Sequence, residues 1–424
     1  MWNAPDGGHR CFPQIPADQN ENKKVREKAM HENIRIKNTA YISCGALTKN
    51  YRTIEAILRE NTPGGNVPRI IATVKADGYG HGVDTVTRVL GDAGCDFFAV
   101  SSEAEALEVR ALEAGRGRHP RILILGYTFP ENAPVLAGAG IECAAVSPEH
   151  ARALAEGTDV PLTIHIKLDT GMHRVGFSCD TEERAAITVE AICAIAADPR
   201  LHLGGIFTHF ACCDDEMLDG LTPVPEGKLT EIQYARYCRV LDALEARGID
   251  PGLRHASNSA AILGFPAARL DAVRAGIILY GLTPDSRPWD DDSFRPVMTL
   301  ETTVAHIQTL LPGEHVSYGA KYTAGTPRTI ATLPIGYADG WIRAYSGAMV
   351  RIGGHDCPIV GRICMDQCMA DITGYEDDIH TGDTVLLFGG DCGERISALA
   401  GLADTIVYEC TCQVSRRVVR RETL

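Results

Sequence analysis

Apolar positions in the first two thirds of the chain fall in short, β-branched runs separated by stretches of helical spacing. Eight such runs are "RIIATVKA" (69–76), "DFFAVSS" (96–102), "RILILG" (121–126), "ECAAV" (142–146), "LTIHIKLDT" (162–170), "LHLGGIFTHF" (201–210), "LRHASNSA" (253–260) and "AVRAGIILYG" (272–281). The stretches between them, such as "EAEALEVRALEAG" and "PEHARALAEG", have acidic starts and glycine stops, which is how amphipathic helices begin and end. Eight strands alternating with helices is the number that closes a parallel (β/α)8 barrel. An open doubly wound sheet fits less well, because no GxGxxG follows the first strand.

After "GLTPDSRPWDDDSFRP" the texture changes to short, glycine-punctuated strands, and helical spacing returns only at "ISALAGLADTIVYEC". The expected fold is therefore α/β, a parallel (β/α)8 barrel followed by a mostly-β C-terminal domain. Its expected division is a polar tail over 1–34, the barrel over 46–292, and a β domain built from 35–45 plus 293–424.

The chain has 424 residues, 45% of them apolar, enough to bury one large core and a second, smaller one. A net charge of -14 argues against a nucleic-acid or anionic-membrane partner. No apolar run approaches the roughly 18 residues of a spanning helix. The first 34 residues are polar, show no signal-peptide core, and read as a flexible or loosely docked tail. Fifteen cysteines without a CxxC pair suit free thiols in a reducing cytoplasm, and no metal is expected.

Barrel chemistry sits at the C-terminal ends of the strands. Polar residues gather at those ends: Lys75 on the first, Lys167 and Asp169 on the fifth, His209 on the sixth, Asn258 and Ser259 on the seventh, and Arg274 before Gly276 on the eighth. A lysine desolvated by a barrel wall and flanked by cations is a candidate nucleophile toward a carbonyl. If that carbonyl belongs to pyridoxal phosphate, Ser259 and the backbone of Gly276 and Ile277 could cradle the phosphate. A lone strand-end lysine is more often a solvated terminus, so spacing by itself leaves both readings open.

Several blocks taken together go further. "VKADGYGHG", "KLDTGMHRVGF", "GIFTHF", "HASNSAA" and "VRAGIILYGL", then "VSYGAKYTA", "PIGYADG", "GRICMDQCM" and "TIVYE", closely resemble the alanine racemase family, in its order, over about residues 35–420. The resemblance implies that Lys75 carries pyridoxal 5'-phosphate and is one of two acid–base groups, with Tyr318 the other on the opposite face. It implies cofactor contacts from Tyr79, Asn258, Ser259, Gly276, Ile277 and Tyr408. Arg274 would meet the pyridine nitrogen, and His209 would bridge Arg274 and Tyr318. Arg174 and the backbone of Met365 would meet the substrate carboxylate, Tyr337 would narrow the entrance, and Lys167 would be a carbamate that positions Arg174.

The implied activity is interconversion of L- and D-alanine for peptidoglycan by a cytoplasmic homodimer in which Tyr318 comes from the other subunit. A serine or broader amino-acid racemase is the alternative, against which the large Tyr408 side chain argues. A cofactor-binding protein without turnover would lack the second domain and its tyrosine. Blander readings make His209 a core histidine, Tyr337 a packing aromatic and Lys167 half of a salt bridge. His81, His173 and His255 have no assigned role, with His255 expected behind the reacting groups. The chain departs from the family pattern at Gly78, expected to loosen its loop, at "ACCDD" after "THF", and in a terminal "RRVVRRETL" without proline.

Overall fold

Strand and helix alternate as the apolar runs require. The computed structural model describes residues 36–60, 66–213, 229–285, 292–390 and 394–424, so the expectation for the tail over 1–34 lies outside the described residues. Strand β1 (Thr39–Ser43) precedes the barrel strands β2 (Arg69–Thr73), β3 (Phe97–Val100), β4 (Arg121–Ile124), β5 (Glu142–Ala145) and β6 (Leu162–Asp169). A short β7 (Phe177–Ser178) pairs with β6, and β8 (Leu201–Phe207), β9 (Leu253–His255) and β10 (Ala272–Ala275) complete the set.

These strands are parallel in the order β10-β2-β3-β4-β5-β6-β8-β9. The sheet's two ends meet where Asp271 N–H donates to Arg254 O (3.1 Å) and Arg274 N–H to Ser257 O (2.9 Å). Helices such as Glu103–Gly115, Pro148–Glu156 and Glu182–Ala196 lie between successive strands. Each starts at a hydroxyl cap, where Ser102, Ser147 and Thr181 accept from Glu105, His150 and Arg184 N–H. Caps of this kind contribute about 1 kcal/mol each.

The expected parallel barrel and mostly-β C-terminal part are both present. The second sheet uses β11 (Met298–Thr303), β12 (His306–Leu310), β15 (Arg328–Leu333), β16 (Met349–Ile352), β17 (His355–Val360), β18 (Cys368–Asp371), β19 (Thr384–Phe388) and β20 (Val419–Thr423), while β13 (His315–Val316) and β14 (Tyr322–Thr323) form a separate hairpin. Its order, β12-β15-β18-β17-β16-β19-β11-β1-β20, places β1 between antiparallel β11 and parallel β20. The proline-free end of the chain thus forms an edge strand.

Three strand limits differ from the expectation. Strand β2 stops at Thr73, and Lys75 opens a tight turn. The seventh run divides into β9 and a helix at Ser259–Gly264, and the eighth bends into a 3-10 turn at Ile277–Tyr280. Each break falls at a candidate site residue: Lys75, Ser259 and Ile277.

Candidate functional site

The turn after β2 has an uncommon backbone. Ala76, Asp77, Gly78 and Tyr79 all have positive φ, from +53° to +62°, a left-handed turn of four successive residues. For the three non-glycine residues this conformation costs roughly 1–2 kcal/mol each, so surrounding contacts must hold it. Ala76 N–H donates to Glu105 (2.7 Å), and Asp77 Oδ1 accepts from Val83 N–H (2.8 Å). His81 is buried, its Nδ1 lies 3.0 Å from both Gly78 O and Tyr79 O, and its ring stacks on Tyr280 at 4.5 Å. Burial pushes the His81 pKa down to about 4, so Nδ1–H is a neutral donor to those carbonyls. Arg420, on β20, closes the loop from behind by donating Nε–H and Nη2–H to Gly80 O (3.1 and 2.9 Å).

Gly78 has a steric reason at this place. Its φ is +62°, and a Cβ would approach Val86 Cγ2 to 2.9 Å. The glycine removes strain from the turn.

Around Lys75 the charge is strongly positive. Burial first, and then the Arg174 guanidinium, lower the pKa of Lys75, with Glu105 and Cys412 opposing. Lys167 is only 6% exposed; burial, Arg174 and Arg274 pull it down to about 8. Asp169, two residues on, turns Oδ1 toward Gly171 N–H and His173 N–H (3.0 Å each), shaping the loop that carries the exposed Arg174. Among the described residues Lys167 therefore has no salt bridge, and its ammonium instead lies 5.7 Å from the Phe207 ring centre. Such a pocket favours anionic ligands.

Arg274 is buried and spreads over backbone oxygens. Nη1 donates to His255 O (2.8 Å) and His255 Nδ1 (2.9 Å), while Nη2 donates to Thr208 O (2.6 Å) and Ala256 O (2.9 Å). Four of the five guanidinium N–H groups are thereby committed, leaving Nε–H. Burial lowers its pKa to about 10, which still keeps it charged at neutral pH. Half-buried His209 has Nδ1 3.5 Å from Arg274 Nη2. Burial, Arg274 and Arg174 hold His209 well below the ordinary histidine range, so its imidazole is neutral.

Tyr79, Ser259 and Gly276 converge on one small space. Gly276 N–H donates to Ser259 Oγ (2.9 Å), and a Cβ on Gly276 would lie 3.0 Å from Tyr79 Oη and 3.5 Å from Ser259 Oγ. Asn258 caps the helix Ser259–Gly264 by accepting from Ala261 N–H (3.0 Å), and Ile277 begins the 3-10 turn beyond Gly276. The Tyr408 ring reaches the same region from the helix Val407–Cys412, 6.1 Å from Tyr79. That helix packs closely on the Lys75 loop, since a Cβ at Gly80 would come 2.1 Å from Thr411 O.

The other three expected residues form a second group, on the β-rich part. Tyr318 is 69% exposed, Met365 53% and Tyr337 42%. Ser317 Oγ donates to Arg362 O (2.5 Å), Tyr337 N–H to Cys364 O (3.1 Å) and Ala338 N–H to Met365 O (3.0 Å). These bonds tie the Tyr318, Tyr337 and Met365 loops into one exposed face, and Ser415 N–H donates to Asp339 O (3.0 Å), joining that face to the segment after the helix Val407–Cys412. The structure thus gathers Lys75, Tyr79, Lys167, Arg174, His209, Asn258, Ser259, Arg274, Gly276, Ile277 and Tyr408 around the barrel mouth, and joins the loops of Tyr318, Tyr337 and Met365 on the β-rich part.

Sequence reading missed His165 and Glu142, which stand behind Arg274 and His255. The signal was present. In a strand of period two, His165 shares the face of Lys167 and Asp169, so "LTIHIKLDT" carried an inward histidine beside an inward lysine.

Comparison with known proteins is consistent along the chain. The family model described as alanine racemase, N-terminal domain, matches residues 42–284, and that for alanine racemase, C-terminal domain, matches 297–422. The alanine racemase of Desulfovibrio desulfuricans is 40% identical over 389 residues, spanning 90% of this chain and 96% of the relative. That of Clostridium tetani is 38% identical over 359 residues, 83% and 88% of the respective chains. The solved alanine racemase of Clostridium difficile gives a TM-score of 0.81 at 36% identity, covering 92% of this chain and 97% of that one.

Proposed function

The chain is an enzyme of the alanine racemase family, and from that premise we propose that it interconverts L- and D-alanine with pyridoxal 5'-phosphate, using Lys75 and Tyr318 as its two acid–base groups. The observation that carries the reading is the cradle at Gly276. Tyr79 Oη and Ser259 Oγ converge beside Gly276, whose N–H holds Ser259 Oγ and whose missing Cβ lets a phosphate oxygen approach both hydroxyls. Lys75 supplies the amine to which the cofactor aldehyde would attach, while Asn258, Ile277 and Tyr408 complete the phosphate side.

When bound, pyridoxal phosphate supplies the electron sink that lets an α-proton leave. Racemisation then needs one base on each face of the α-carbon, exchanging roles with direction. A depressed Lys75 pKa increases the fraction of neutral amine able to take that proton. Arg174 and the Met365 backbone would hold the substrate carboxylate, and Tyr337 would narrow the approach. Arg274 retains Nε–H for the ring nitrogen. A guanidinium donates a hydrogen bond without surrendering its proton, which weakens the sink and favours proton return at the α-carbon over transamination. His209 would carry the polarity of Arg274 on toward Tyr318. Lys167, with a pKa near 8, has neutral amine available to combine with carbon dioxide, releasing a proton and forming a carbamate that orients Arg174.

The exposure of Tyr318, Tyr337 and Met365 on one face supports a homodimer in which each subunit lends them to its partner. The pairing of β1 with β11 and β20 supports treating 35–45 plus 293–424 as one domain beside the barrel over 46–292. The D-alanine would serve peptidoglycan synthesis in the cytoplasm; among the described residues no helix is long and apolar enough to cross a membrane. Serine is the second reading, and the half-buried Tyr408 ring disfavours it by narrowing the space beside the cofactor.

The test is chiral analysis of alanine and serine, each incubated with the cofactor-loaded protein. Equal L- and D-alanine with slow serine conversion is expected. Rapid serine conversion would overturn the specificity, and absence of any D-product would overturn the activity.

A further inference from the structure

A chain of polar side chains runs through the barrel interior behind Arg274. His255 Nδ1 accepts from Arg274 Nη1 (2.9 Å), His255 Nε2 lies 2.9 Å from His165 Nδ1, and His165 Nε2 lies 2.7 Å from Glu142 Oε2. Glu142 is gripped by Arg121 through Nε to Oε1 (2.6 Å) and Nη2 to Oε2 (2.7 Å). Glu142 and Arg121 open strands β5 and β4, so the chain ends at the face of the barrel opposite Lys75. Both imidazoles are fully buried. Space is made for them: a Cβ on Gly205 would lie 2.5 Å from His165 Nδ1, and one on Gly204 would lie 3.1 Å from His165 Nε2. The His255 ring stacks on Phe207 at 4.9 Å.

Hydrogen-bond logic gives the chain one direction. Guanidinium only donates, so His255 Nδ1 must be bare and its proton must sit on Nε2. That proton faces His165 Nδ1, which must also be bare, so His165 carries its proton on Nε2 and gives it to the carboxylate. A neutral imidazole pair therefore links the buried Arg274 charge to a carboxylate, and aligned bonds of this kind strengthen one another in low dielectric. Reversing His255 would set a proton against the Arg274 N–H, and reversing His165 would set one against His255 Nε2–H.

We propose that Glu142 and Arg121 are positioning residues for Arg274, acting through His165 and His255 to keep His255 Nδ1 an acceptor and so to fix which guanidinium N–H is left for the cofactor ring. The cation on Glu142 matters as much as the carboxylate. Without Arg121, Glu142 would draw a second proton onto His165, His165 Nδ1 would become a donor, and the direction would fail at His255. The proposal rests on the ring-nitrogen role given to Arg274, but the position of the imidazole protons is independent of that role.

The experiment is neutron diffraction from crystals of the holoenzyme and its Arg121→Met and Arg121→Lys variants, with racemase kinetics on the same proteins. The wild type and Arg121→Lys are expected to carry single protons on Nε2 of both histidines. Arg121→Met is expected to protonate His165 on both nitrogens and to lose about 10-fold in kcat with KM little changed. Glu142→Leu serves as the second variant, with loss of the Nε2 preference on His165. A proton on His255 Nδ1 in the wild type, or an Arg121→Met enzyme with unchanged protons, would overturn the proposal. Unchanged kinetics with displaced protons would show the chain to be structural and overturn its positioning role.

Discussion

Replacing Gly276 by alanine tests the phosphate cradle with one methyl group. The added Cβ would sit 3.0 Å from Tyr79 Oη, where ordinary contact begins at 3.4 Å, and 3.5 Å from Ser259 Oγ. Tyr79 cannot retreat easily: its backbone is held at φ +53°, and its ring lies 5.0 Å from Tyr280 and 6.1 Å from Tyr408. The methyl therefore occupies the space in which the two hydroxyls would meet a phosphate oxygen. Losing one hydrogen bond to a charged group costs roughly 1.5–3 kcal/mol, which is about 10- to 140-fold in cofactor affinity. The assay is titration of the cofactor-free protein with pyridoxal phosphate, followed by absorbance, with the melting temperature of the cofactor-free variant as a folding control. Cofactor affinity equal to wild type in a normally folded Gly276→Ala protein would refute the cradle.

Further outcomes follow from other contacts. Arg274→Glu places a group that can protonate the ring nitrogen where a permanent donor stood; transamination should rise relative to racemisation, and an unchanged ratio of pyruvate to D-alanine would count against the role of Arg274. Activity should fall when carbon dioxide is stripped from the buffer and return with bicarbonate, in step with a carbamate on Lys167 seen by carbon-13 NMR; full activity with no carbamate would dismiss that modification. Glu142, pushed up by burial but brought down to about 2 by Arg121 and His165, has a depressed folded pKa. Its stabilisation, on the order of 3 kcal/mol, is present above the unfolded pKa near 4.5 and lost as pH falls toward 2. In urea unfolding, the difference between wild type and Glu142→Leu should therefore shrink over that range, and a constant difference would deny the shift.

How much of this was legible in the sequence depends on how local the cause is. Apolar runs of five to ten residues located all eight barrel strands, because burial on both faces leaves its mark in composition. Strand ends were less legible. "VKADGYGHG" reads as a strand running into a glycine-rich loop, but the left-handed turn involves Ala76, Asp77 and Tyr79, none of which announces positive φ. What holds them there is distant: Glu105 from the next strand–helix unit and Arg420 from the chain's end. The cation cluster was legible as polar strand ends, and the shared identity of many ordered motifs gave those ends roles. His165 and Glu142 were missed because their partners lie on different strands and only closure of the barrel brings them together. The exposure of Tyr318 could not be read from spacing at all, since it depends on how the β-rich part presents its loops.

The most direct test of two bases lent by two chains is coexpression of Lys75→Ala and Tyr318→Phe subunits. Each variant alone should be inactive as a racemase. With random pairing, half of the dimers are hybrids with one intact site of two, so about a quarter of wild-type activity should return. Substantial activity in either variant alone, or none in purified hybrid dimers, would contradict the account.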